Sequence, residues 1–342
     1  MDILKRFFYL AYYFKELDWD KFNLFMRYVS TKHKISPIVL WGRILYSSLR
    51  YNISILEYFQ FRFYEISDAE KESYAGTGFM YEYQLAMNPK PTRNVLEDKS
   101  IFLDEYSPFI KHKHVSLKQI DDNQNSLSEI LSNDSGKIVM KNSFGQCGQG
   151  VVVLSTNGLT VDSLFREFEK TKNDLIEEFV VQHETLMMLS PSGLNTVRIV
   201  TQLNSKNEAE IIGARLRITV NSVVDNMAAG NMAAPINPIT GIVEGPGVYS
   251  DITKEDSHFH PVTNIKIPGL KIPFWDETVR FVLAAAGKNN TNRSIGWDVA
   301  ITQAGPELIE GNHDWCKLLW QLPVKRGLKP VLRQYLTELK KK

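Results

Sequence analysis

One segment limits what this chain can fold into more than any other: Gly296-Trp-Asp-Val-Ala-Ile-Thr-Gln-Ala-Gly-Pro-Glu-Leu-Ile-Glu-Gly-Asn312. Two strand-like runs flank a short break containing glycine, which is the pattern of a β-hairpin. With a three-residue turn at Gln303-Ala304-Gly305, Asp298 stands opposite Glu310. Directly opposed residues of an antiparallel pair have Cβ atoms about 5 Å apart. Asn312 lies two positions beyond Glu310 and so shares its face. Asp298, Glu310 and Asn312 then converge as hard oxygen donors. Opposed carboxylates repel unless a cation neutralises them, and an all-oxygen set suits Mg²⁺ or Mn²⁺ better than zinc. The competing reading is a pair of solvated surface carboxylates. The apolar setting of the hairpin weighs for the metal.

A second segment makes that hairpin more informative. Lys141 ends an apolar run and is followed by Asn-Ser-Phe-Gly145-Gln-Cys-Gly148-Gln-Gly150 and then Val-Val-Val-Leu. Glycines let backbone approach an anion, and a lysine supplies a point charge for phosphate. The spacing is not that of a P-loop. A strand rather than a helix follows, so it is not a dinucleotide fingerprint either. Alone it is a plain turn; beside an acidic metal hairpin it reads as a flap over nucleotide phosphates. Cys147 in this loop and Cys316 have no local partner to depress a thiol pKa and read as incidental. Two cysteines in 342 residues exclude a disulfide-dense secreted scaffold and suit a reducing, cytoplasmic compartment.

The first 90 residues read as helices. Ile3, Phe7, Leu10, Phe14 and Leu17 form one apolar stripe, continued by Phe22, Phe25 and Val29. Ser36-Pro37 and Ser67-Asp-Ala-Glu70 look like helix starts. The uncharged stretch Phe7–Phe14 is far short of the roughly 20 residues of a membrane span, and no signal-peptide cleavage pattern follows it. Packing on the rest of the chain and contact with a membrane surface both remain open for these helices. Asn88-Pro-Lys-Pro91 is a break. Beyond it, strands are expected at 138–141, 151–154, 174–181, 196–203 and 211–220, and helices at 161–171 and 274–287, the second ended by Gly287. Residues 225–270 read as loop with short strands. A C-terminal helix starts at Pro330 and ends in a solvated basic tail, Lys340–Lys342. With 40 Lys and Arg against 39 Asp and Glu, nothing drives the whole chain toward nucleic acid.

The order of these elements resembles the ATP-grasp superfamily, and within it the branch associated with sugar transfer and polysaccharide biosynthesis. The matching blocks are Asn195-Thr-Val-Arg-Ile-Val-Thr201, Leu175-Ile-Glu-Glu-Phe-Val-Val-Gln-His183, Ile295–Ile301 and Gly305–Asn312, with Asp225-Asn226, Gly230 and Thr240-Gly241 between them. The resemblance implies an α+β fold, with two α+β subdomains gripping ATP between antiparallel sheets. It implies a helical region over 1–90, an ATP-grasp domain over 91–325 (lid 91–183, metal-binding part 184–325) and a C-terminal helix and tail over 326–342. Lys99 and Lys141 match the phosphate lysines, and Gly145, Gly148 and Gly150 the flap. Glu177, Glu178, Phe179 and Val180 match the strand that reads adenine. Glu184 is the nearest ribose candidate, with Gln182 and His183 as rivals. Asp298, Glu310 and Asn312 match a two-magnesium site. Arg198 matches an arginine on the transferred phosphoryl group; Arg217 is a further candidate, and Arg215 shares its strand face. Where the branch carries Gly-Gly this chain has Gly230-Asn231.

The activity so implied is ATP-dependent joining of a carboxylate to an amine through an acyl phosphate. The partners would be ATP, a carboxylated sugar, sugar nucleotide or glycan, and a small amine. The work would be done in the cytoplasm, with the N-terminal helices free to touch the inner membrane face. A kinase of a sugar hydroxyl would use the same lysines and metal, and a silent nucleotide-binding module would need neither turnover nor Glu310. A membrane-docked interaction protein is a third alternative. No strong general base stands out; His183 and His313 are the candidates. His112-x-His114 and His258-x-His260 could be metal pairs, but no acidic or cysteine partner lies near them in sequence.

Overall fold

Asp18 interrupts the aromatic N-terminus: its carboxylate accepts the Lys21 N–H at 3.0 Å and caps a new helix. The result is α1 (Ile3–Lys15) and α2 (Trp19–His33) rather than one long rod, followed by α3 (Pro37–Tyr51), α4 (Ile55–Gln60), α5 (Asp68–Ser73) and α6 (Thr77–Met87). The structure is a computed structural model and describes residues 3–119, 124–145 and 150–340. Cys147, Gly148 and the last two lysines of the basic tail lie outside the described residues. Proline opens α3, and Ser67 with Glu70 forms the expected capping box of α5. The expected apolar stripe of α1 holds only in part: Leu10 and Phe14 are half-buried. Tyr13 and Leu17 are buried, whereas Phe7 is exposed. Tyr13 donates to Asn52 Oδ1 at 3.1 Å and Tyr9 donates to Glu82, so side chains with a satisfiable polar tip take the inner face. Phe22, Phe25 and Val29 of α2 are buried as expected. Among the described residues no helix is long and apolar enough to cross a membrane.

Two short helices, α7 (Asn94–Glu97) and α8 (Lys99–Glu105), lead to β1 (His114–Ser116). Next come α9 (Gln124–Leu131), β2 (Lys137–Lys141), β3 (Val152–Ser155), α10 (Val161–Thr171) and β4 (Leu175–Glu178). These strands make an antiparallel sheet in the order β1-β4-β2-β3. Leu164 and Phe168 of α10 bury against Ile138, Met140 and Ile176 of it. β4 stops sooner than the apolar run predicts, because the chain must leave this sheet at Phe179 to reach the second one.

The second sheet follows α11 (Glu184–Leu189). It is built from β5 (Val197–Leu203), β6 (Ala209–Ile218), β7 (Met232–Ile236), β8 (Ser294–Thr302) and β9 (Gly305–Asn312), all antiparallel, in the order β7-β6-β5-β8-β9. One face is covered by α12 (Trp275–Lys288), through Val282, Ala285 and Ala286 on Val197, Ile199 and Leu216. The other is covered by Trp315, Trp320 and α14 (Lys329–Leu339), α13 (Lys317–Gln321) lying between them in sequence. Covering on both faces leaves every residue of β5 buried, the polar Arg198, Thr201 and Gln202 included. α12 passes through Gly287 and ends one residue later; a glycine in the last turn does not need to be its stop.

The β8–β9 hairpin differs from its expected turn but not at the place that matters. Thr302 pairs with Gly305, so only Gln303 and Ala304 lie outside the ladder. Flush continuation from there would put Ile309 opposite Asp298. A β-bulge at Ile309 absorbs one residue, and Glu310 arrives opposite Asp298. The chain enters and leaves the four-stranded sheet beside the tip of this hairpin. The Lys111 and His112 N–H groups donate to Glu307 Oε2 at 3.2 and 3.1 Å, and Lys111 Nζ donates to the Ala304 carbonyl at 2.7 Å. On the return, the His183 N–H donates to the Ile301 carbonyl at 2.6 Å.

Candidate functional site

The two sheets face each other across a cavity. β2, β3 and β4 contribute Val139, Lys141, Val153 and Glu177 to one wall; β6, β8 and β9 contribute Arg217, Asp298 and Glu310 to the other. Leu194, Val223 and Ile309 complete an apolar slot beside the charged end. Such a combination of flat apolar walls and a few convergent charges suits a molecule with a planar ring and an anionic tail.

The charged end is a buried network. Arg198 lies opposite Asp298 in the β5–β8 ladder. Its Nε and Nη2 donate to Asp298 Oδ1 and Oδ2 at 2.5 and 2.8 Å. Arg217 Nη1 donates to Asp298 Oδ2 at 2.7 Å, and its Nη2 is 2.7 Å from Asp225 Oδ1. Asp225 also accepts the Thr196 N–H and hydroxyl at 2.9 and 2.5 Å. Burial alone would raise the Asp298 pKa; Arg198 and Arg217 outweigh it and hold the carboxyl well below the usual range. Glu310 is the contrary case. Burial, then the charge of Asp298, push its pKa up, with Lys99 opposing. Its hydrogen bond from Asn312 Nδ2, at 3.1 Å, does not offset that. Two opposed carboxylates with one of them short of positive partners is the arrangement a divalent cation relieves, and the Asn312 amide oxygen is a third hard donor. The donor set fits Mg²⁺. The described residues hold no group of three or more His, Cys, Asp and Glu suited to a metal, so any ion here depends on that amide as well.

The lysines occupy the facing wall. Lys141 Nζ is 2.6 Å from Glu177 Oε1. Burial works to raise the Glu177 pKa, and Lys141 with His112 reverses this and lowers it. Lys99 begins α8 because Asp98 caps that helix through the Ser100 N–H. Its N–H donates to the Ser143 carbonyl at 3.0 Å and its Nζ to the Gly145 carbonyl. Burial lowers the Lys99 pKa, with Glu310 opposing.

A family model described as sugar-transfer associated ATP-grasp matches residues 79–336, well over half of the chain. The chain belongs to this family. Its fold is the ATP-grasp fold, with an N-terminal helical region. Solved structures with a similar fold include the ATP-grasp ligase PsnB complexed with a phosphomimetic variant of its minimal precursor, Mg and ADP. That match has 12% identity over 73% of this chain and 60% of that one, with TM-score 0.41. D-alanine–D-alanine ligase from Bacillus anthracis matches at 14% identity over 72% and 67%, TM-score 0.39. An L-amino acid ligase from Bacillus licheniformis matches at 12% over 64% and 41%, TM-score 0.37. This chain thus spans less than two thirds of the length of the first and third of these proteins. Among curated proteins none matches.

Within this ATP-grasp chain the residues singled out by sequence are largely brought together. Lys99, Lys141, Gly145, Glu177, Glu178, Phe179, Val180, Arg217, Asp298 and Glu310 all line the cavity. Arg198 and Asn312 join it through Asp298 and Glu310. Others stand apart. Glu184 is exposed on the first turn of α11 and does not line the cavity. Its rivals are structural: Gln182 bonds the Ser190 and Gly193 carbonyls, and His183 Nδ1 accepts the Thr185 N–H. Gly150 has φ +73° and its carbonyl accepts from Asn173; Gly148 lies outside the described residues. Arg215 and Arg217 share a face, but Arg215 donates to the Trp320 carbonyl at 3.0 Å and anchors the segment behind the sheet. His313 pairs with Glu97 at 3.1 Å, and neither it nor His183 lines the cavity.

His112, which has no acidic partner near it in sequence, finds two in space. Its Nδ1 is 3.0 Å from Glu307 and its Nε2 is 3.6 Å from Glu177, two residues far away in sequence and close only after folding. His260 bonds the Thr219 carbonyl at 2.8 Å. Sequence reasoning missed Thr196 and gave no role to Asp225, although both sit in the blocks that carry the family resemblance. The departure at Asn231 has a structural account. Its side chain donates to the Val224 and Asn226 carbonyls at 2.6 and 3.0 Å and so shapes the loop that closes the cavity.

Proposed function

We propose that this chain is an ATP-dependent carboxylate–amine ligase. The observation that carries the reading is the opposed Asp298 and Glu310, set across one cavity from Lys99 and Lys141 with Arg217 beside them. The four-stranded sheet and its glycine loop act as the lid over ATP, and the five-stranded sheet as the metal-binding half. The apolar slot takes adenine. Glu178 and Phe179 already donate their N–H groups to the Lys113 and Lys137 carbonyls, so the Val180 backbone is assigned to the adenine edge. Glu184 is given no ribose role.

Lys99 and Lys141 bind the β- and γ-phosphates, and Glu177 positions Lys141. Asp298, Glu310 and Asn312 would hold Mg²⁺, two ions by likeness to the family and replaceable by Mn²⁺; bound there, it supplies charge neutralisation at the phosphate oxygens. A carboxylate oxygen of the acceptor attacks the γ-phosphorus, the bond to the β-phosphate oxygen breaks, and ADP leaves. The amine nitrogen then attacks the acyl carbon; phosphate departs and the nitrogen gives up a proton. Arg198 and Arg217 stabilise the charge that grows on the phosphoryl oxygens. The loop at Gly145 excludes water, which would otherwise hydrolyse the activated acyl group. The family points to a carboxylated sugar, sugar nucleotide or glycan as acceptor and a small amine as donor, in the cytoplasm where ATP is available.

Phosphorus NMR tests this. Purified protein is given Mg-ATP and a small-molecule extract of the source cells, with Glu310→Gln as control. ADP and free phosphate that require the extract and vanish in the variant are expected. ADP with a new phosphoester resonance would replace the ligase by a kinase. Nucleotide binding without turnover, equal in both proteins, would leave a binding module.

A further inference from the structure

The outer surface of the N-terminal helices is apolar where a surface helix is ordinarily polar. On α1, Phe7, Phe8 and Tyr12 are 53%, 68% and 53% exposed; on α3, Ile38 and Tyr46 are 83% and 58% exposed. These rows are neighbours. Arg6 Nη1 donates to the Leu49 and Arg50 carbonyls at 2.7 and 2.8 Å, and Phe14 stacks on Trp41. The two helices therefore run side by side in opposite senses. Their inner faces hold Tyr13 on α1, with Leu17 just after it, and Leu40 and Ile44 on α3. Phe8 and Tyr12 are one helical turn apart, and Ile38 and Tyr46 two turns apart, on the faces turned outward. Together they form one apolar surface, larger than the scattered exposed residues usual on a soluble protein.

The charge carried by the two helices themselves is one-sided. α1 and α3 contain Lys5, Arg6, Lys15, Arg43 and Arg50 and no acidic residue, in a chain whose 40 basic and 39 acidic residues nearly cancel. Lys5, Arg50 and Lys15 share their charge with Glu82, Glu72 and Glu16; Lys15 and Arg43 are exposed. A second copy of the chain suits this face badly, because a twofold contact would set the basic rim against itself. An anionic bilayer surface meets both features. Phenylalanine rings enter the acyl boundary, lysine and arginine heads sit among lipid phosphates, and tyrosine hydroxyls stay in the interface. With 13 and 15 residues, neither helix spans the bilayer; both would lie on it.

We propose that the outward face of α1 and α3 docks this protein on anionic membrane surfaces. The readout is binding, not turnover, so the inference stands or falls apart from the ligase reading. The full chain is sedimented with vesicles of phosphatidylcholine, and with vesicles of phosphatidylcholine mixed with phosphatidylglycerol. Binding to the anionic vesicles that weakens with added salt is expected. The double variant Phe7→Glu/Phe8→Glu changes only exposed positions and should weaken binding by about a hundredfold or more. Lys15→Gln should weaken it about fivefold. Equal partition onto both vesicle types, or a double variant that sediments like the parent, would overturn the proposal. So would a stable dimer in solution that the double variant dissociates, since a second copy would then cover the face.

Discussion

At the residue scale, Asp298 and Glu310 face each other yet live in different electrostatic conditions. Two arginines hold Asp298 ionised, while Glu310 is destabilised as an anion, first by burial and then by Asp298. A carboxyl whose pKa is raised on folding contributes stability below its unfolded pKa and loses it as pH rises through the folded value. As a carboxylate, Glu310 therefore opposes folding. Glu310→Gln is expected to raise the melting temperature in EDTA, by the equivalent of about 0.5–2 kcal/mol. The same variant should abolish turnover and lose the extra stabilisation that Mg-ATP gives the parent. Thermal melts with and without Mg-ATP check both halves. Glu177 has the opposite sign. Burial opposes its ionisation, but Lys141 and His112 prevail and depress its pKa below the ordinary 4.5. Its contribution is present above that ordinary value and disappears as pH falls through the depressed one. Lys141→Met should flatten the acid limb of a stability-against-pH curve; an unchanged limb would show that this pair does not set it.

At the element scale, the β8–β9 hairpin carries the site and also shows what a sequence can and cannot disclose. The opposition of Asp298 and Glu310 is legible from spacing, but the way it is reached is not. A three-residue turn and a two-residue turn with a bulge at Ile309 place the same residues opposite each other. Local signals were readable elsewhere for the same reason: the Ser67 capping box and the 161–171 helix are written within a few residues of themselves. What was illegible depended on distant partners. Arg215 and Arg217 are equivalent by periodicity until the Trp320 carbonyl claims the first. His112 looks isolated until Glu177 and Glu307 arrive. Phe7 loses the inner face of α1 to tyrosines whose hydroxyls find Asn52 and Glu82. The tight turn makes its own demand. Gly305 has φ +93°, and a Cβ there would stand 2.8 Å from Glu277 Oε1. Gly305→Ala should cost about 1–3 kcal/mol, read from urea unfolding; a cost within error would mean that the turn relaxes freely.

At the scale of the whole molecule, the helical region and the second sheet share one core. Phe25 and Phe59 pack in the same cluster as Met227, Ala233, Val248, Leu319 and Leu322. Phe25→Ala should therefore destabilise the protein by about 3–5 kcal/mol and lower the midpoint seen by helical ellipticity and by tryptophan fluorescence together. Separate transitions for the two probes would mean that the halves unfold independently. The four-stranded sheet is attached differently. Both of its chain crossings, at Lys111-His112 and at Gln182-His183, are fastened to the tip of the β8–β9 hairpin. Its far margin is held at Lys99, which binds the Ser143 and Gly145 carbonyls. Among the described residues this is mechanically a door with two hinges on one post and a catch at Lys99. Rotation about a line through the crossings moves His112 hardly at all and carries the Gly145 turn through the widest arc. Under the proposed ligase reading, a nucleotide phosphate that drew the Lys99 ammonium away from the Gly145 carbonyl would release that contact of the catch as it entered, so the arriving substrate would itself loosen the panel proposed to shut over it.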